Sequence, residues 1–215
     1  MAETGVSSPR ERYRVQMQAE IKERAWEQIA TAGASGLSLN AIAKQVGMSG
    51  PALYRYFASR DELITELIRD AYRSLADTLA AARDAGADLR GMACALREWA
   101  VADPHRYFLI YGTPVPGYRA PDATTAISNE TMTMLIEACA ALDIDESATP
   151  FDTELEHHRR WAPDKSVAAT TLHRAITFWT RVHGVLSLEL AGHFAAMEFD
   201  PALLFADEVD TLMAR

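Results

Sequence analysis

The sequence lacks the features that mark several large classes of protein. No stretch is long and apolar enough to span a membrane, and the N-terminus has no apolar signal-peptide core, so we expect a cytoplasmic protein with no membrane partner. No phosphate-binding glycine loop, dinucleotide-binding motif or nucleophile elbow is present. Without a catalytic constellation, we expect neither an enzyme nor a cofactor.

Cysteine and metal-binding patterns are equally sparse. The two cysteines, Cys94 and Cys139, show neither metal-ligand spacing nor a disulfide-framework pattern, and buried thiols are favoured over a redox-sensing pair. One polar segment holds side chains of metal-binding type: Asp152, Glu154, Glu156, His157 and His158. Because an HExxH or CxxC spacing is missing, this segment is better explained as a charged loop, and no metal site is predicted.

The net charge of -9 is unusual for a nucleic-acid-binding protein, but the charge is unevenly distributed. From Arg10 to Arg60 there are eight Lys and Arg against four Asp and Glu, a net charge of +4. After Arg60 there are 13 against 25, a net charge of -12. Arg10, Arg12 and Arg14 form a basic arm just before the first predicted helix, which suits a phosphate backbone or a minor groove.

Residues 38–60 have the pattern of two short helices joined by a tight turn and followed by a third helix. An apolar stripe marks the first of them: Leu39, Ile42, Ala43 and Val46. Gly47 suits the left-handed conformation at a helix end, and Pro51 suits the first turn of the second helix. Ser59 and Glu62 form a capping-box pattern for the third helix. This arrangement is a helix-turn-helix, whose second helix enters a DNA major groove.

The first third of the chain resembles the N-terminal DNA-binding domain of TetR-type transcriptional regulators. The resemblance is carried by Ile21 through Gly33, Ile42-Ala43, Val46 through Ser49, Leu53 through Phe57, and Asp61 through Leu63. It implies an all-α homodimer with an operator-binding N-terminal domain and a C-terminal domain for dimerisation and effector binding.

The predicted DNA contacts lie in the arm and in the helix-turn-helix. Where the family often offers polar groups to base edges, the chain has Gly50, Pro51 and Ala52, which can contact thymine methyls but cannot read guanine. Arg55 is then the strong hydrogen-bonding reader, and we predict a guanine contact. The resemblance implies backbone contacts by Lys44, Tyr54, Tyr56 and Arg60, with core packing as the alternative for Tyr54. The full predicted set is Arg10, Arg12, Arg14, Ser38, Asn40, Lys44, Ser49, Gly50, Pro51, Ala52, Tyr54, Arg55, Tyr56 and Arg60.

The periodicity predicts an all-α fold with a three-helix N-terminal domain and a larger helical C-terminal domain. We expect a disordered arm over residues 1–12, a helix-turn-helix DNA-binding domain over 13–58, and an effector-binding and dimerisation domain over 59–215. A helix from Ser59 to about Arg83 would link the two domains mechanically. A second long helix is predicted from Ser166 to Ala196, and a short one from Thr153 to Arg160.

The second long helix carries the predicted dimer face. Its small side chains would let two helices approach closely in a two-fold dimer, with the last helix completing a four-helix bundle. The predicted interface is Thr180, Gly184, Ser187, Ala191 and Ala195. The segment from Trp179 to Phe194 also resembles the TetR subgroup named for a Trp-His-Gly signature, although three residues here separate the Trp from His183-Gly184.

Aromatic side chains in the helical body predict a ligand cavity. The candidates are Trp99, Tyr107, Phe108, Tyr111, Phe178, Trp179 and His183. Plain core packing is the alternative for each of them, since aromatic residues at helical spacing commonly fill a core. A lining with few charges favours a hydrophobic or aromatic effector over a highly charged one.

Together these patterns predict a repressor that binds a palindromic DNA operator as a dimer and is released by a small effector. One alternative is a helical sequestering or scaffold protein whose helix-turn-helix binds no DNA. A small helical enzyme is a second alternative, which would need a convergent polar cavity.

Overall fold

The computed structural model describes residues 8–119, 122–142 and 148–214, which contain ten α-helices, two short 3-10 turns and no strand. The helices are α1 (Pro9–Ala32), α2 (Leu39–Gln45), α3 (Gly50–Leu53), α4 (Arg60–Asp84), α5 (Leu89–Ala102), α6 (Pro104–Tyr111), α7 (Asp122–Ala140), α8 (Pro150–His157), α9 (Ala169–Leu190) and α10 (Pro201–Met213). The predicted all-α class is confirmed. Within these ranges, no helix is both long and apolar enough to cross a membrane.

Helix α1 begins earlier than its apolar periodicity predicted. The Ser8 hydroxyl accepts the Glu11 N–H at 3.2 Å, and the Glu11 carboxylate accepts the Ser8 N–H at 2.7 Å. This reciprocal cap, with Pro9 in the first turn, starts the helix before Tyr13. The predicted arm is therefore wrong for residues 8–12, while residues 1–7 lie outside the described residues.

The N-terminal core is built by helices α1 to α3 and the first half of α4. Its fully buried members include Ile21, Ile42, Leu53 and Leu63. The turn between α2 and α3 follows the predicted chemistry: Gly47 has φ of +69°, and the Met48 N–H donates to the Ala43 carbonyl at 2.8 Å. The capping of α4 differs in one respect, because Glu62 reaches the N–H of Ala58 and leaves Ser59 as a one-way cap.

A second core fills the body, and α4 belongs to both. Leu63 and Leu67 lie in the N-terminal core, whereas Leu75 and Leu79 lie in the body core, where α4 packs against α5 and α7. The loop after α6 makes a second connection, because Val115 is buried in the N-terminal core. The predicted mechanical link through α4 matches this packing, but the domain boundary at residue 59 stays a prediction.

Helix α9 is shorter than the sequence predicted. It ends at Leu190, because Gly192 adopts φ of +78° and the His193 N–H returns to the Leu188 carbonyl at 3.0 Å. Ala195 consequently lies in a 3-10 turn beyond the helix. Helix α8 begins at Pro150 instead of Thr153, since Thr149 and Asp152 form a capping box.

Candidate nucleic-acid interface and ligand cavity

A basic groove lies where the start of α1 meets the segment after α3. It is lined by Arg10, Tyr13, Arg14, Arg55 and Tyr56. The helical spacing of positions 10, 13 and 14 places those three side chains on one face of α1. The side chains of Arg10, Arg14 and Arg55 form no ion pair or hydrogen bond with any described residue, although the Arg55 backbone N–H donates to the Ala52 carbonyl at 3.3 Å. The groove therefore presents uncompensated guanidinium groups, which suits phosphate oxygens.

The structure differs from the sequence-based prediction for these basic residues. The three arginines of the predicted arm are on helix α1, and Arg12 does not line the groove because it projects from another side of that helix. The predicted DNA contacts did not include Tyr13. With the helix beginning at Pro9, the spacing of Tyr13 from Arg10 and Arg14 places it on the same helix face. Its exposed ring now lies among the arginines.

The start of α3 lies at the protein surface. Pro51 is exposed, and Gly50 lies beside α2, where an added Cβ would be in van der Waals contact with Asn40 Oδ1 at 3.4 Å. Tyr54 is 46% exposed, which argues against the core-packing alternative for this ring. Lys44 is exposed in the last turn of α2.

Two predicted contacts, Ser38 and Arg60, have structural roles, and a third, Ser49, does not cap the helix that follows it. The Ser38 hydroxyl caps α2 by accepting the Ala41 N–H at 3.4 Å, and Ser49 immediately precedes α3 without capping it. The Arg60 guanidinium donates to the carbonyls of Ala34 at 2.7 Å and of Leu37 and Ser35, each at 3.2 Å. Arg60 therefore holds the loop before α2 and is not among the proposed phosphate contacts.

A mostly apolar cavity lies in the body between α4, α5, α7 and α9. The lining residues are Leu75, Leu79, Met92, Ala93, Leu96, Tyr111, Thr131, Met132, Leu135, Phe178, Trp179, Val182 and His183. Four predicted effector residues are among them: Tyr111, Phe178, Trp179 and His183. The aliphatic wall from α4, α5 and α7 was missed, because its spacing is the same as that of ordinary core.

His183 is the centre of an aromatic cluster at this cavity. Its ring centroid lies 4.1 Å from that of Tyr111, 5.3 Å from that of Trp179 and 5.7 Å from that of Tyr107. Burial lowers the pKa of His183 to about 4, so the imidazole is neutral at pH 7. Burial also raises the pKa of Tyr111 well above its usual range.

The other three predicted effector residues, Tyr107, Trp99 and Phe108, lie outside this cavity. Tyr107 is fully buried, and its hydroxyl lies 2.8 Å from Ser187 Oγ and 3.1 Å from His183 Nδ1. Trp99 Nε1 donates to Ser74 Oγ at 3.1 Å, which joins α5 to α4. Phe108 lines a separate groove between α1 and the loop after α6. These residues do not line the cavity.

The predicted dimer face is only partly exposed. Thr180, Gly184 and Ala191 are exposed, but Ser187 turns inward to Tyr107, and Ala195 is not on the helix. Large apolar side chains are also exposed on α9, on the segment that follows it and on α10: Trp179, Leu188, Met197, Phe199 and Leu203. We call this set, with Thr180, Gly184 and Ala191, the α9–α10 face.

Polar residues outside these sites serve the fold. Asp152 is buried, accepts the Thr149 N–H at 2.6 Å and lies 3.0 Å from His173 Nδ1, which ties α8 to α9. No group of three or more potential metal ligands comes together within the ranges that the structure describes. Cys139 is buried as predicted. Cys94 is exposed on α5, so the prediction of a buried thiol is wrong for this residue.

Family models match most of the chain. The model of bacterial regulatory proteins of the tetR family matches residues 21–67, and that of the tetracyclin repressor-like C-terminal domain matches residues 89–212. The chain is 37% identical over 233 aligned positions to the HTH-type transcriptional regulator Rv1816 of Mycobacterium tuberculosis, with 100% of this chain and 98% of that protein covered. The chain belongs to the TetR family of DNA-binding transcriptional regulators, which is not a family of enzymes.

Solved structures show the same fold. The crystal structure of the regulatory protein SCO4313 has a TM-score of 0.90 and 64% identity, covering 97% of this chain and 100% of that one. The TetR family transcriptional regulator PfmR from Thermus thermophilus has a TM-score of 0.54 at 15% identity, covering 90% of this chain and 97% of that one. The narrower resemblance to the Trp-His-Gly subgroup is not confirmed by these matches.

Proposed function

We propose that this regulator is a homodimeric repressor that binds a palindromic operator and is released by a small hydrophobic or aromatic effector. The observation that carries the DNA-binding part is the groove of Arg10, Arg14 and Arg55. Three unpaired guanidinium groups on a basic domain concentrate positive charge against an otherwise acidic protein. That charge asymmetry favours approach to DNA through this face.

We infer that some residues of the groove contact phosphates and others contact bases. Arg10 and Arg14 at the start of α1 would hold phosphates, with Tyr13 and Tyr56 beside them. Arg55 would reach a guanine, while the exposed Pro51 and neighbouring Ala52 would pack on thymine methyls. In a dimer, the two α3 helices would lie about 34–36 Å apart, which is one turn of DNA.

The dimer itself is proposed to form through the α9–α10 face. Leu188 and Leu203 are 45% and 70% exposed, and Gly184 leaves open space where a partner helix could approach. An exposed apolar patch of this kind commonly marks an interface between proteins. Because a two-fold dimer pairs the same patch with itself, a single face is sufficient.

Effector release is proposed to act through α4. Leu75 and Leu79 of this helix line the cavity, and Leu63 and Leu67 of the same helix pack in the DNA-binding domain. Tyr111 at the cavity also contacts Tyr72 of α4, with ring centroids 6.1 Å apart. A ligand that favours a different tilt of α4 would therefore shift the DNA-binding domains. This requires that it binds the state released from DNA more tightly than the DNA-bound state.

The test of DNA binding is fluorescence anisotropy of the full-length protein on DNA flanking its own gene, with random DNA as competitor and several salt concentrations. Specific binding should survive competitor and weaken steeply with salt. Replacing both Arg10 and Arg14 by Ala should lower affinity on every sequence and reduce the salt slope by about one for each phosphate that the variant no longer neutralises.

Arg83→Ala is the matched control, because this exposed arginine lies at the far end of α4 and its partner among the described residues is its neighbour Asp84. Its affinity should equal that of the parent protein. Specific binding that is unaffected in the Arg10 and Arg14 double variant would refute the groove as the interface. Absence of any specific binding would refute the repressor proposal and favour the sequestering alternative.

A further inference from the structure

The body cavity is small, which limits the size of its ligand. Its volume is about 50 Å³, against about 150 Å³ for an engineered apolar cavity that binds benzene. A molecule of one six-membered ring is therefore the largest that the cavity can admit, and it requires some movement of the lining side chains. A fused polycyclic molecule is too large.

The lining determines the charge of the ligand. None of the thirteen lining residues carries a formal charge at neutral pH, and nine of them are aliphatic, Met or Phe. An ionised group placed there would lose its hydration without gaining an opposite charge, which is strongly unfavourable. The cavity consequently selects uncharged molecules.

Two polar groups at one end of the cavity have no partner in the described part of the chain. The Tyr111 hydroxyl makes no hydrogen bond there, and His183 uses only its Nδ1 edge, which lies 3.1 Å from the Tyr107 hydroxyl. Tyr111 and His183 both line the cavity, and their ring centroids lie 4.1 Å apart. The Tyr111 hydroxyl and Nε2 of His183 are therefore available to hydrogen-bond a polar group of a ligand.

We propose that this cavity binds an uncharged molecule of single-ring size whose one hydroxyl or carbonyl group is held by Tyr111 and His183. The remaining apolar body packs on the leucine and methionine side chains of α4, α5 and α7, with Trp179 at one wall. The paired polar groups set the orientation, because an apolar molecule of the same size would leave both unsatisfied. The inference deepens the proposed effector site and rests on it.

Three single-ring probes of similar size separate the properties that matter: phenol, toluene and benzoate. Titration calorimetry of the full-length protein without DNA should show phenol binding about tenfold more tightly than toluene, and benzoate more weakly than both. Equal affinity for phenol and toluene, a preference for benzoate, or no binding by any of the three would overturn the inference.

Tyr111→Phe removes one hydroxyl and keeps the ring. Phenol affinity should fall about three- to tenfold while toluene affinity stays unchanged. Tyr72→Phe is the matched control, because that ring contacts Tyr111 but does not line the cavity, and it should alter neither affinity. An unchanged phenol affinity in Tyr111→Phe would also overturn the inference.

The outcome is distinguishable from that of the DNA-binding test. The predicted probe pattern in a protein without specific DNA binding would leave the cavity inference standing and refute the repressor. Specific DNA binding in a protein that binds none of the probes would do the reverse.

Discussion

At the scale of single residues, Arg55 offers a direct test of how the protein recognises the base sequence of DNA. Replacing it by Ala should weaken specific binding by about 1–3 kcal/mol and relax the preference at one base pair in each half-site, because the variant cannot make a bidentate contact to guanine. The measurement is anisotropy on a set of operators, each with one base pair changed.

Arg14→Ala serves as the comparison for Arg55, since both arginines line the same groove. It should weaken binding to all operators by a similar factor and leave their ranking intact, as expected for a phosphate contact. If Arg55→Ala also preserves the ranking, its guanidinium holds phosphate and base reading must lie elsewhere.

His183 gives a second residue-scale prediction, on pH. Its pKa is about 4 in the folded protein and about 6.5 in the unfolded chain, so the unfolded state binds the proton first as pH falls. Stability from this group is therefore complete above pH 6.5, declines as pH falls towards 4, and is constant below that. Between pH 7 and pH 5 the loss should be about 1–2 kcal/mol.

Urea unfolding at pH 7 and pH 5 measures that loss, with His183→Phe as the control. The phenyl ring keeps the stacking position but cannot bind a proton, so the variant should lose about 1–2 kcal/mol less than the parent over this interval. The same pH dependence in both proteins would show that other groups are responsible.

At the scale of elements, helix ends explain most differences between the sequence-based prediction and the structure. The start of α1 was misplaced because apolar periodicity begins at Met17, whereas Ser8 and Glu11 cap the helix well before it. The end of α9 was misplaced because the small-residue pattern continues to Ala195 after the chain has left the helix at Gly192. Periodicity identifies the middle of a helix, and caps determine its ends.

The candidate sites show the same limit between local and long-range information. The helix-turn-helix was predictable because its turn and caps are local in sequence. Arg10 and Arg55 meet only through packing of α1 against the domain, and Ser187 turns inward only because Tyr107 of α6 lies there. A stripe of small residues does not reveal which of its members faces a neighbour.

The turn at Gly192 leads to an element-scale prediction. Its φ of +78° is costly for an L-residue with a Cβ, so Gly192→Ala should destabilise the protein by about 1 kcal/mol. Gly192→Asn should cost less, because Asn adopts the left-handed conformation more readily. Urea midpoints of the two variants test the order, and an Ala variant as stable as the parent would mean that α9 can end elsewhere.

At the scale of the whole molecule, two connections join the DNA-binding domain to the body. One is α4, which contributes side chains to both cores, and the other is the loop after α6, which buries Val115 in the N-terminal core. Arg106 of α6 adds a contact, with its guanidinium carbon 5.7 Å from the ring centroid of Trp26 in α1. The cavity is bounded by α4 and by Tyr111 at the end of α6, so the proposed effector would contact α4 and the helix that leads into the second connection.

The α9–α10 face gives the prediction for the assembled molecule. Leu188→Glu should convert the proposed dimer to monomers, because each protomer would then place a carboxylate in an apolar contact that removes it from water. Size-exclusion chromatography with light scattering measures the mass, and operator affinity should fall with it, since a monomer engages only one half-site.

Val101→Glu is the matched control, because Val101 on α5 is 43% exposed and Leu188 is 45% exposed. It introduces the same charge on a similarly exposed apolar residue outside the α9–α10 face, so mass and operator affinity should not change. If Leu188→Glu has the same mass as Val101→Glu, this face does not form the dimer. If its mass falls while operator affinity is retained, one half-site suffices for specific binding, and the palindromic part of the proposal is wrong.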